Sequence, residues 1–415
     1  MNLAENKSIK FHIDVNSAFL SWTAIKLLKE GNPVDIRTVP AIVGGDPKTR
    51  HGIVVAKSLP AKALGIHTAD TVASALKKCP DLIMVPPDHP YYKRQSRALM
   101  KHLSDICPMI EQVSIDECYM AYEPLREQYP DPLQAAYHIK NSVRDTFGFT
   151  VNVGISDKKV LAKMASDFEK PDKLHTLFSD EISKKLWPLP ISDLHMCGKS
   201  SAARFRQYGI HTIGDLAKTD PDLVTGWMKS HGKLLWNYAN GIDNDEVITE
   251  QGPAKGVGNS VTLSKNVTDF EGACTVLKEL SDSVSGRLTK KRFEASQISV
   301  EIKYATFTSV SHQMTVDKPI CKAEDLYRNA VILFKELWNG EAVRLLGIRT
   351  TKLERAGAPK QLTIEDYLKQ QQVHLQKKEE EAMRIDQKKE KARKLEEALD
   401  KVRSKYGKDM IRKGL

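Results

Sequence analysis

Three acidic side chains, Asp14, Asp116 and Glu117, have the types and surroundings expected of a metal-dependent catalyst. Asp14 ends a strand-like stretch at residues 10–15, and the other two acids lie in a second strand-like stretch at residues 110–120. Mg²⁺ prefers oxygen ligands, usually one or two carboxylates together with substrate phosphates. Two such ions can activate an attacking oxygen and stabilise a leaving pyrophosphate. The three acids are therefore a candidate two-metal site.

Spacing alone leaves another interpretation open. Consecutive residues of a strand face opposite sides of the sheet. Asp116 and Glu117 can therefore share a site only if the strand ends or bends there. Otherwise Asp14 would be a turn or cap residue, and the acidic pair would lie on a solvated strand edge.

The elements that must position these acids alternate between strands and helices up to about residue 180, which predicts an α/β or α+β arrangement. A helix with Asn16 and Ser17 as its cap is expected directly after Asp14. Short helical runs separated by glycines occupy residues 187–245, and a glycine-rich linker follows at 252–258. The other helices are expected at 94–106, 132–147, 272–289, 323–338 and 369–405, and the other strands at 53–56, 150–155 and 298–304.

Length and composition narrow the class of protein. A chain of 415 residues suggests roughly two to four domains. The net charge of +10 suits a polyanionic partner without requiring one. The six cysteines lack the short spacing of a zinc site, which indicates reduced thiols. No apolar run is long enough for a bilayer span and no signal core begins the chain, so we expect no membrane partner and a cytoplasmic location.

Three ordered motifs surround the acids. They are FHIDVNSAF at residues 11–19, VSIDECY at 113–119, and VGIS at 153–156 followed by KVLAKMASD at 159–167 and by Lys170-Pro171. GIHTIGDL at 209–216 and RLLGIR at 344–349 follow in the same order. This set, which spans roughly residues 8–355, resembles the Y-family DNA polymerases, the translesion group.

The resemblance implies an α+β, multi-domain, right-handed polymerase. Its expected parts are palm and fingers at 1–186, a helix-hairpin-helix thumb at 187–245, a linker at 246–257, a little finger at 258–355 and a charged helical tail at 356–415. Such an enzyme adds deoxynucleotides to a primer 3′-hydroxyl on a template, with low fidelity and tolerance of lesions. Its expected partners are primer-template DNA and deoxynucleoside triphosphates, and in a bacterium it would be associated with the nucleoid.

By the same resemblance, Asp14, Asp116 and Glu117 would bind two Mg²⁺ ions, with the Val15 backbone carbonyl as a further ligand. Ala18 would lie beside the nucleotide. Phe19 would be the steric gate, a ring that leaves no room for a ribose 2′-hydroxyl. The alternative for Phe19 is an ordinary core aromatic on an amphipathic helix.

Lys62 and Lys170 occupy positions where the family places cations on the triphosphate. The family often has Tyr and Arg where this chain has Leu59 and Lys62, so a hydroxyl and a bidentate fork are lost. Binding of the β- and γ-phosphates would then be looser, or other donors would substitute. The usual Pro-Asn-Gly is replaced by Pro171-Asp172-Lys173.

DNA contacts are expected in two places. Residues 194–202 resemble a helix-hairpin-helix whose Gly198 and Lys199 would hold a DNA phosphate, although Met196 replaces one glycine of the usual pair. An ordinary helix-turn is the alternative. The little finger carries a basic cluster that would attract phosphates or would be a solvated face; its members are Arg287, Lys290, Lys291 and Arg292.

The tail contains a degenerate match to the peptide that binds the sliding clamp, QLTIEDY at residues 361–367, in which Glu365 replaces the Phe of the usual peptide. The following helix has Leu395, Leu399, Val402 and Tyr406 on one stripe and could dock on the protein, bind a partner or stay solvated.

Two rival functions are an inactive DNA-binding adaptor and a nucleotidyl cyclase. The intact acidic triad argues against the first, and the DNA-directed thumb and little finger argue against the second.

Overall fold

The computed structural model describes residues 8–46, 52–243, 246–250, 252 and 254–357, together with the backbone of a helix at 364–406. Its strands are β1 Lys10–Val15, β2 Ala41–Gly44, β3 Val54–Lys57, β4 Ile83–Val85, β5 Ile110–Gln112, β6 Glu117–Ala121, β7 Val151–Ser156, β8 Leu174–Thr176, β9 Gly256–Val267, β10 Phe293–Tyr304, β11 Ser309–Ile320 and β12 Val343–Arg355. Its α-helices are α1 Ala18–Lys29, α2 Leu59–Ala63, α3 Val72–Lys78, α4 His89–Ile106, α5 Pro132–Phe147, α6 Lys159–Ser166, α7 Ile182–Lys185, α8 Lys199–Gln207, α9 Ile213–Lys218, α10 Pro221–Ala239, α11 Phe270–Lys291, α12 Ala323–Leu337 and α13 Ile364–Tyr406.

A five-stranded sheet with the order β5-β6-β1-β7-β8 has β1 at its centre. Because side chains alternate along a strand, β1 presents two different faces. Phe11, Ile13 and Val15 are buried in a hydrophobic core with residues of α4 and α5. His12 and Asp14 lie on the opposite face, where α6 packs against β1 and β7. One face of the sheet thus forms the core, and the other carries polar side chains.

The close approach of α6 depends on Gly154 in β7. A Cβ atom at this position would overlap the Ala162 carbonyl oxygen and would lie 2.5 Å from the Ser166 backbone nitrogen. Only a residue without a side chain therefore allows α6 to rest on β7 at this distance. This packing brings the side chains of α6 over the polar face of β1.

The stretch at residues 110–120, predicted as one strand, is a hairpin. β5 and β6 pair antiparallel, with Glu111 opposite Tyr119, and the chain turns between them. The backbone nitrogens of Val113 and Ser114 both donate hydrogen bonds to the Glu117 carbonyl. The continuous-strand prediction was wrong because no glycine or proline marks the turn, which is closed by these local hydrogen bonds.

A smaller sheet with the order β3-β2-β4 lies beside the first. Leu20 and Ala24 of α1 pack against its buried residues Ala41, Val43 and Ala56. This contact joins the helix that follows Asp14 to the small sheet.

The short helices predicted for residues 187–245 are present as α8, α9 and α10. Their core residues, such as Phe205, Leu216 and Leu235, share one hydrophobic cluster with Leu161 and Met164 of α6. The expected thumb is thus packed onto the same helix that covers the acidic face.

The C-terminal sheet has the order β11-β10-β12-β9, with α11 and α12 on one face. Ile298, Val300 and Ile302 point into the core under these helices. β9 begins at Gly256, two residues inside the segment expected to be linker. The other face of the sheet carries no helix in the described part of the chain.

The tail forms one long helix, α13, which begins five residues before the predicted start. Its described side chains at 381–402 are exposed, apart from a partly exposed Leu399. Residues 361–363 and the side chains of 364–367, where the clamp peptide was predicted, lie outside the described residues.

All six cysteines are free thiols. Within the described ranges, no helix has the length and apolarity needed to cross a bilayer.

Candidate active site

The structure brings the three predicted acids together. Asp14 of β1 is the register partner of Glu117 of β6, so their side chains share the polar face of the sheet. Asp116 lies at the end of the hairpin turn, and its carbonyl accepts a hydrogen bond of 3.1 Å from the Val15 nitrogen. Asp116 and Glu117 can share a site only if the strand ends or bends between them. The turn provides this bend, because Asp116 precedes the first residue of β6 and need not face the side of the sheet opposite Glu117.

Local hydrogen bonds hold the turn residue in place. The Ser114 hydroxyl donates to Asp116 Oδ1 at 2.6 Å. Burial raises the pKa of Asp116, and the neighbouring charges of Asp14 and Glu117 raise it further, while the Ser114 hydrogen bond opposes both. This mutual repulsion shows that the three carboxylates form one electrostatic unit.

Two lysines neutralise this unit. Lys170 Nζ lies 2.6 Å from Asp14 Oδ2 and 2.8 Å from Asp167 Oδ1. Lys163 Nζ lies 3.2 Å from Glu117 Oε2 and 3.7 Å from Asp14 Oδ2. A bound cation or phosphate would compete with these ion pairs for the same groups.

His12 is a site residue that motif comparison missed. Its side chain is 1% exposed, with Nε2 3.4 Å from Glu117 Oε2 and Nδ1 2.8 Å from Ser166 Oγ. Burial lowers the pKa of His12, so the neutral imidazole is favoured. Because a carboxylate only accepts, Nε2 must carry the proton that faces Glu117. The Ser166 hydroxyl also lies 2.8 Å from the Lys163 carbonyl, so its single proton faces two acceptors, that carbonyl and Nδ1. The hydrogen bond from His12 is the largest of the effects that lower the pKa of Glu117 to about 2.

The donor set fits a hard divalent cation. The three groups offer carboxylate oxygens, which Mg²⁺ prefers, and their mutual repulsion would be relieved by positive charge. Among the described residues, no group of three or more His, Cys, Asp or Glu side chains is arranged to hold a metal ion by itself. Binding of Mg²⁺ here would therefore need further ligands, such as oxygens of a substrate phosphate.

A cavity of about 270 Å³ opens beside the acids, and Lys62 and Lys170 are both in its wall. Ser17 lines it too; it is the N-cap of α1, as predicted, but has a left-handed φ of 47° and makes no side-chain hydrogen bond to the helix. The turn is held instead by Asn16, whose side-chain oxygen accepts from the Thr150 hydroxyl and the Asp172 backbone nitrogen.

Phe19 lies in an aromatic cluster at the start of α1. Its ring is partly buried and stacks on Tyr92, with 4.7 Å between ring centroids and an interplanar angle of 16°. Ala18 is buried. Neither residue is among those that line the cavity. The packing is what the core-aromatic interpretation expects, and the steric-gate role stays a prediction.

The segment predicted as a helix-hairpin-helix has a 3₁₀ turn where the first helix was expected, and the role of this segment in DNA binding stays a prediction. A single 3₁₀ turn, Ile191–Asp193, leads through a loop to α8, whose N-cap is Gly198 and whose first residue is the exposed Lys199. Met196 has a φ of 68° and is 55% exposed. The backbone thus keeps the conformation that favours glycine even though methionine stands there.

The basic cluster lies at the C-terminal end of α11, and all four of its side chains are exposed. Arg287 Nη1 donates to the Gly258 carbonyl at 2.7 Å, so this residue reaches over the edge strand β9. The open face of the sheet forms a groove of about 620 Å³ that includes Ser299, Gly347 and Arg349. Arg349 was not predicted from the sequence as a residue of this groove, although strand alternation places it on the same face as Gly347.

The comparisons with known proteins agree with one another. The impB/mucB/samB family model matches residues 13–167, and the model of that family's C-terminal domain matches residues 254–364. A DNA polymerase IV of Clostridium acetobutylicum is 39% identical over 406 residues, which is 98% of this chain and 97% of the relative. DNA polymerase IV 1 of Bacillus subtilis is 35% identical, over 98% of this chain and 92% of the relative.

The chain belongs to the Y family of DNA polymerases. A solved chimeric Y-family polymerase, built from Dbh and Dpo4, has the same fold, with a TM-score of 0.71 and 20% identity over 84% of this chain and 99% of that one. The predicted resemblance and the multi-domain α+β fold are therefore confirmed. The protein is a DNA-directed DNA polymerase of the translesion class, and neither the inactive adaptor nor the cyclase is favoured.

Proposed function

We propose that this Y-family polymerase adds deoxynucleotides to a primer 3′-hydroxyl with two Mg²⁺ ions held by Asp14, Asp116, Glu117 and the Val15 backbone carbonyl. The observation that supports this assignment is the pairing of Asp14 with Glu117 on one face of the central sheet, with Asp116 in the adjoining turn and a cationic cavity nearby. Bound Mg²⁺ supplies Lewis acidity, which lowers the pKa of the attacking hydroxyl and offsets charge on the phosphate.

The protein's own groups prepare this site before substrate arrives. His12 orients Glu117 through its Nε2 proton, and the Ser114 hydroxyl orients Asp116. Lys163 and Lys170 offset the carboxylate charge when no other cation does so. Preorganised groups of this kind reduce the reorganisation that the reaction requires.

The nucleotide would lie in the cavity beside the acids, with its triphosphate near Lys62 and Lys170. Phe19 would contact the sugar as the steric gate, and Ala18 would lie next to it at the start of α1. Lys170 has to exchange its bond with Asp14 for a phosphate, which couples nucleotide binding to release of the carboxylate.

Primer-template DNA would be held through its backbone, independently of sequence. Gly198 and Lys199 present the N-terminus of α8 to one phosphate. The exposed cluster of Arg287, Lys290, Lys291 and Arg292 adds salt-sensitive attraction at the C-terminal domain. The polymerase would act on chromosomal DNA in the cytoplasm, at the nucleoid.

The sliding clamp is a further proposed partner, through residues 361–367. Deleting residues 359–368 should abolish stimulation of primer extension by the clamp and leave extension without the clamp unchanged. Equal stimulation of both proteins would remove the peptide from consideration.

Primer extension with Mg²⁺ tests the proposed reaction. We expect the wild type to extend a primer and Asp116→Ala to lose extension while keeping its thermal stability. The same failure in wild type and variant would refute the assignment, and conversion of ATP to a cyclic product would favour a cyclase.

A further inference from the structure

The cavity beside the acidic face is built to receive an anion. Its wall includes the four cationic side chains Arg37, Lys57, Lys62 and Lys170, and no Asp or Glu side chain lines it among the described residues. Leu20 and Leu59 supply its apolar wall. A ligand with several negative charges would therefore meet opposite charge on more than one side.

Two of these four cations already have carboxylate partners. The Arg37 guanidinium donates to both carboxylate oxygens of Asp35, at 2.7–3.1 Å, and to the Gly148 carbonyl at 2.7 Å. Lys170 is bound to Asp14 and Asp167. Their positive charge is thus largely balanced within the protein.

Lys57 and Lys62 are different. Within the described residues the Lys62 ammonium has no hydrogen-bond or ion-pair partner, and the Lys57 ammonium contacts the neutral Thr68 hydroxyl at 3.2 Å. The charge of Asp70 also acts on Lys57, but this carboxylate is bound to Lys78 at 2.9 Å. Burial lowers the pKa of Lys57, and the charge of Lys62 lowers it further.

The local structure explains why Lys57 faces the cavity. In β3 the side chains of Val54 and Ala56 are buried, and alternation places Lys57 on the other side of the strand. The Ser58 hydroxyl is fully used, since it donates to the Val39 carbonyl and accepts from the Ala41 and Ala61 nitrogens.

Leu59, where relatives often have a tyrosine hydroxyl, is 55% exposed and offers no side-chain donor. With Ser58 engaged in the local turn, the two ammonium groups are the donors on this wall of the cavity that, among the described residues, are not hydrogen-bonded to a carboxylate. Lys57 lies outside the motif positions compared above, so its part in the cavity becomes visible only in the folded chain.

We propose that Lys57 and Lys62 together form a two-lysine clamp for the terminal phosphates of the incoming nucleotide, in place of the Tyr and Arg that the family often uses. The inference rests on the proposed nucleotide site and identifies Lys57 as an additional binding residue. Two flexible point charges replace a planar fork, so the clamp senses phosphate charge more than phosphate geometry.

Single-nucleotide insertion by Lys57→Met, Lys62→Met and Lys57→Arg tests the clamp. Methionine keeps the length of the stem and removes the charge. We expect Lys57→Met to raise the KM for dTTP about tenfold, with a smaller effect on kcat, because one charge-assisted contact is lost. Lys57→Arg should restore most of the affinity. Lys77→Met, an exposed lysine of α3 outside the cavity, is the matched control and should match wild type.

A second measurement separates phosphate binding from a general structural effect. The inhibition constant of dTMP, which lacks both terminal phosphates, should change much less in Lys57→Met than the KM for dTTP does. An unchanged KM for dTTP, or equal weakening of dTTP and dTMP, would overturn the clamp while wild-type extension still supported the polymerase reaction. Loss of extension by the wild type itself would refute the proposed function and the clamp with it.

Discussion

Replacing His12 by leucine should impair catalysis although His12 itself is too deeply buried to reach a substrate. The imidazole links Glu117 to Ser166 of α6 through contacts of 3.4 Å and 2.8 Å. Leucine fills a similar volume but cannot donate to the carboxylate. Glu117 would then be free to rotate towards Lys163, its other partner at 3.2 Å.

The expected size of the effect follows from the lost interaction. A hydrogen bond to a charged group contributes about 1.5–3 kcal/mol. Removing the partner that orients a metal ligand typically costs about 10–100-fold in metal affinity or activity. We therefore expect His12→Leu to lower kcat by about 10–100-fold at fixed Mg²⁺, or to raise the Mg²⁺ concentration needed for half-maximal rate by a similar factor.

The assay is single-nucleotide insertion over a range of Mg²⁺ concentrations, with His12→Gln and Phe11→Leu measured in parallel. Glutamine keeps a donor near the position of Nε2 and should recover most of the rate. Phe11 is buried on the opposite face of β1, so its variant reports the cost of a perturbed core without touching Glu117.

Two results would refute this reasoning. One is a folded His12→Leu protein with wild-type kcat and Mg²⁺ dependence. The other is a His12→Gln protein as impaired as the leucine variant, because the loss would then come from packing and not from the hydrogen bond.

Two further predictions concern the elements around the site. Phe19→Ala should raise ribonucleotide incorporation relative to deoxynucleotide incorporation by about tenfold or more if the ring excludes a 2′-hydroxyl, since about 1.4 kcal/mol of discrimination corresponds to a factor of ten; unchanged sugar selection would leave the ring as a core aromatic stacked on Tyr92. Gly154→Ala should lower the free energy of unfolding in urea by about 1–3 kcal/mol and reduce kcat, because the methyl group would displace α6 from β7. A variant as stable as the wild type would contradict the tight packing of α6.

Much of the site could be predicted from sequence because its framework is local. The alternation in residues 10–15 predicts β1, and the helical spacing after Ser17 predicts α1. The ordered motifs identified the triad and the family. These features depend on short stretches of the sequence, each with its own pattern.

The hairpin before Glu117 was not predicted, because residues 110–120 contain no glycine or proline to mark a turn. The turn is closed by hydrogen bonds to the Glu117 carbonyl and by the hydrogen bond from the Ser114 hydroxyl to Asp116. After the turn, β6 pairs with β1. A competing local interaction overrode strand propensity at this point.

The contacts of His12 and Lys57 were missed for another reason. Each depends on an element from another part of the chain. His12 contacts α6, which rests on Gly154. Lys57 shares its cavity with residues at the start of α1 and with Lys170. Motif comparison examines positions that relatives share and passes over a lysine between them. Alternation along β1 and β3 was the available signal, since it places His12 with Asp14 and turns Lys57 away from the core.

The central claim is that Asp14, Asp116 and Glu117 act as one metal-binding catalytic unit. Its most direct test is Mg²⁺-dependent single-nucleotide insertion by Glu117→Gln, compared with Glu111→Gln, a partly buried acid of the same hairpin that is paired with Lys159. We predict that Glu117→Gln loses at least about a thousandfold in kcat, roughly 4 kcal/mol of transition-state stabilisation, and that Glu111→Gln stays within severalfold of wild type. Wild-type turnover by Glu117→Gln, or an equal loss in both variants, would contradict the assignment.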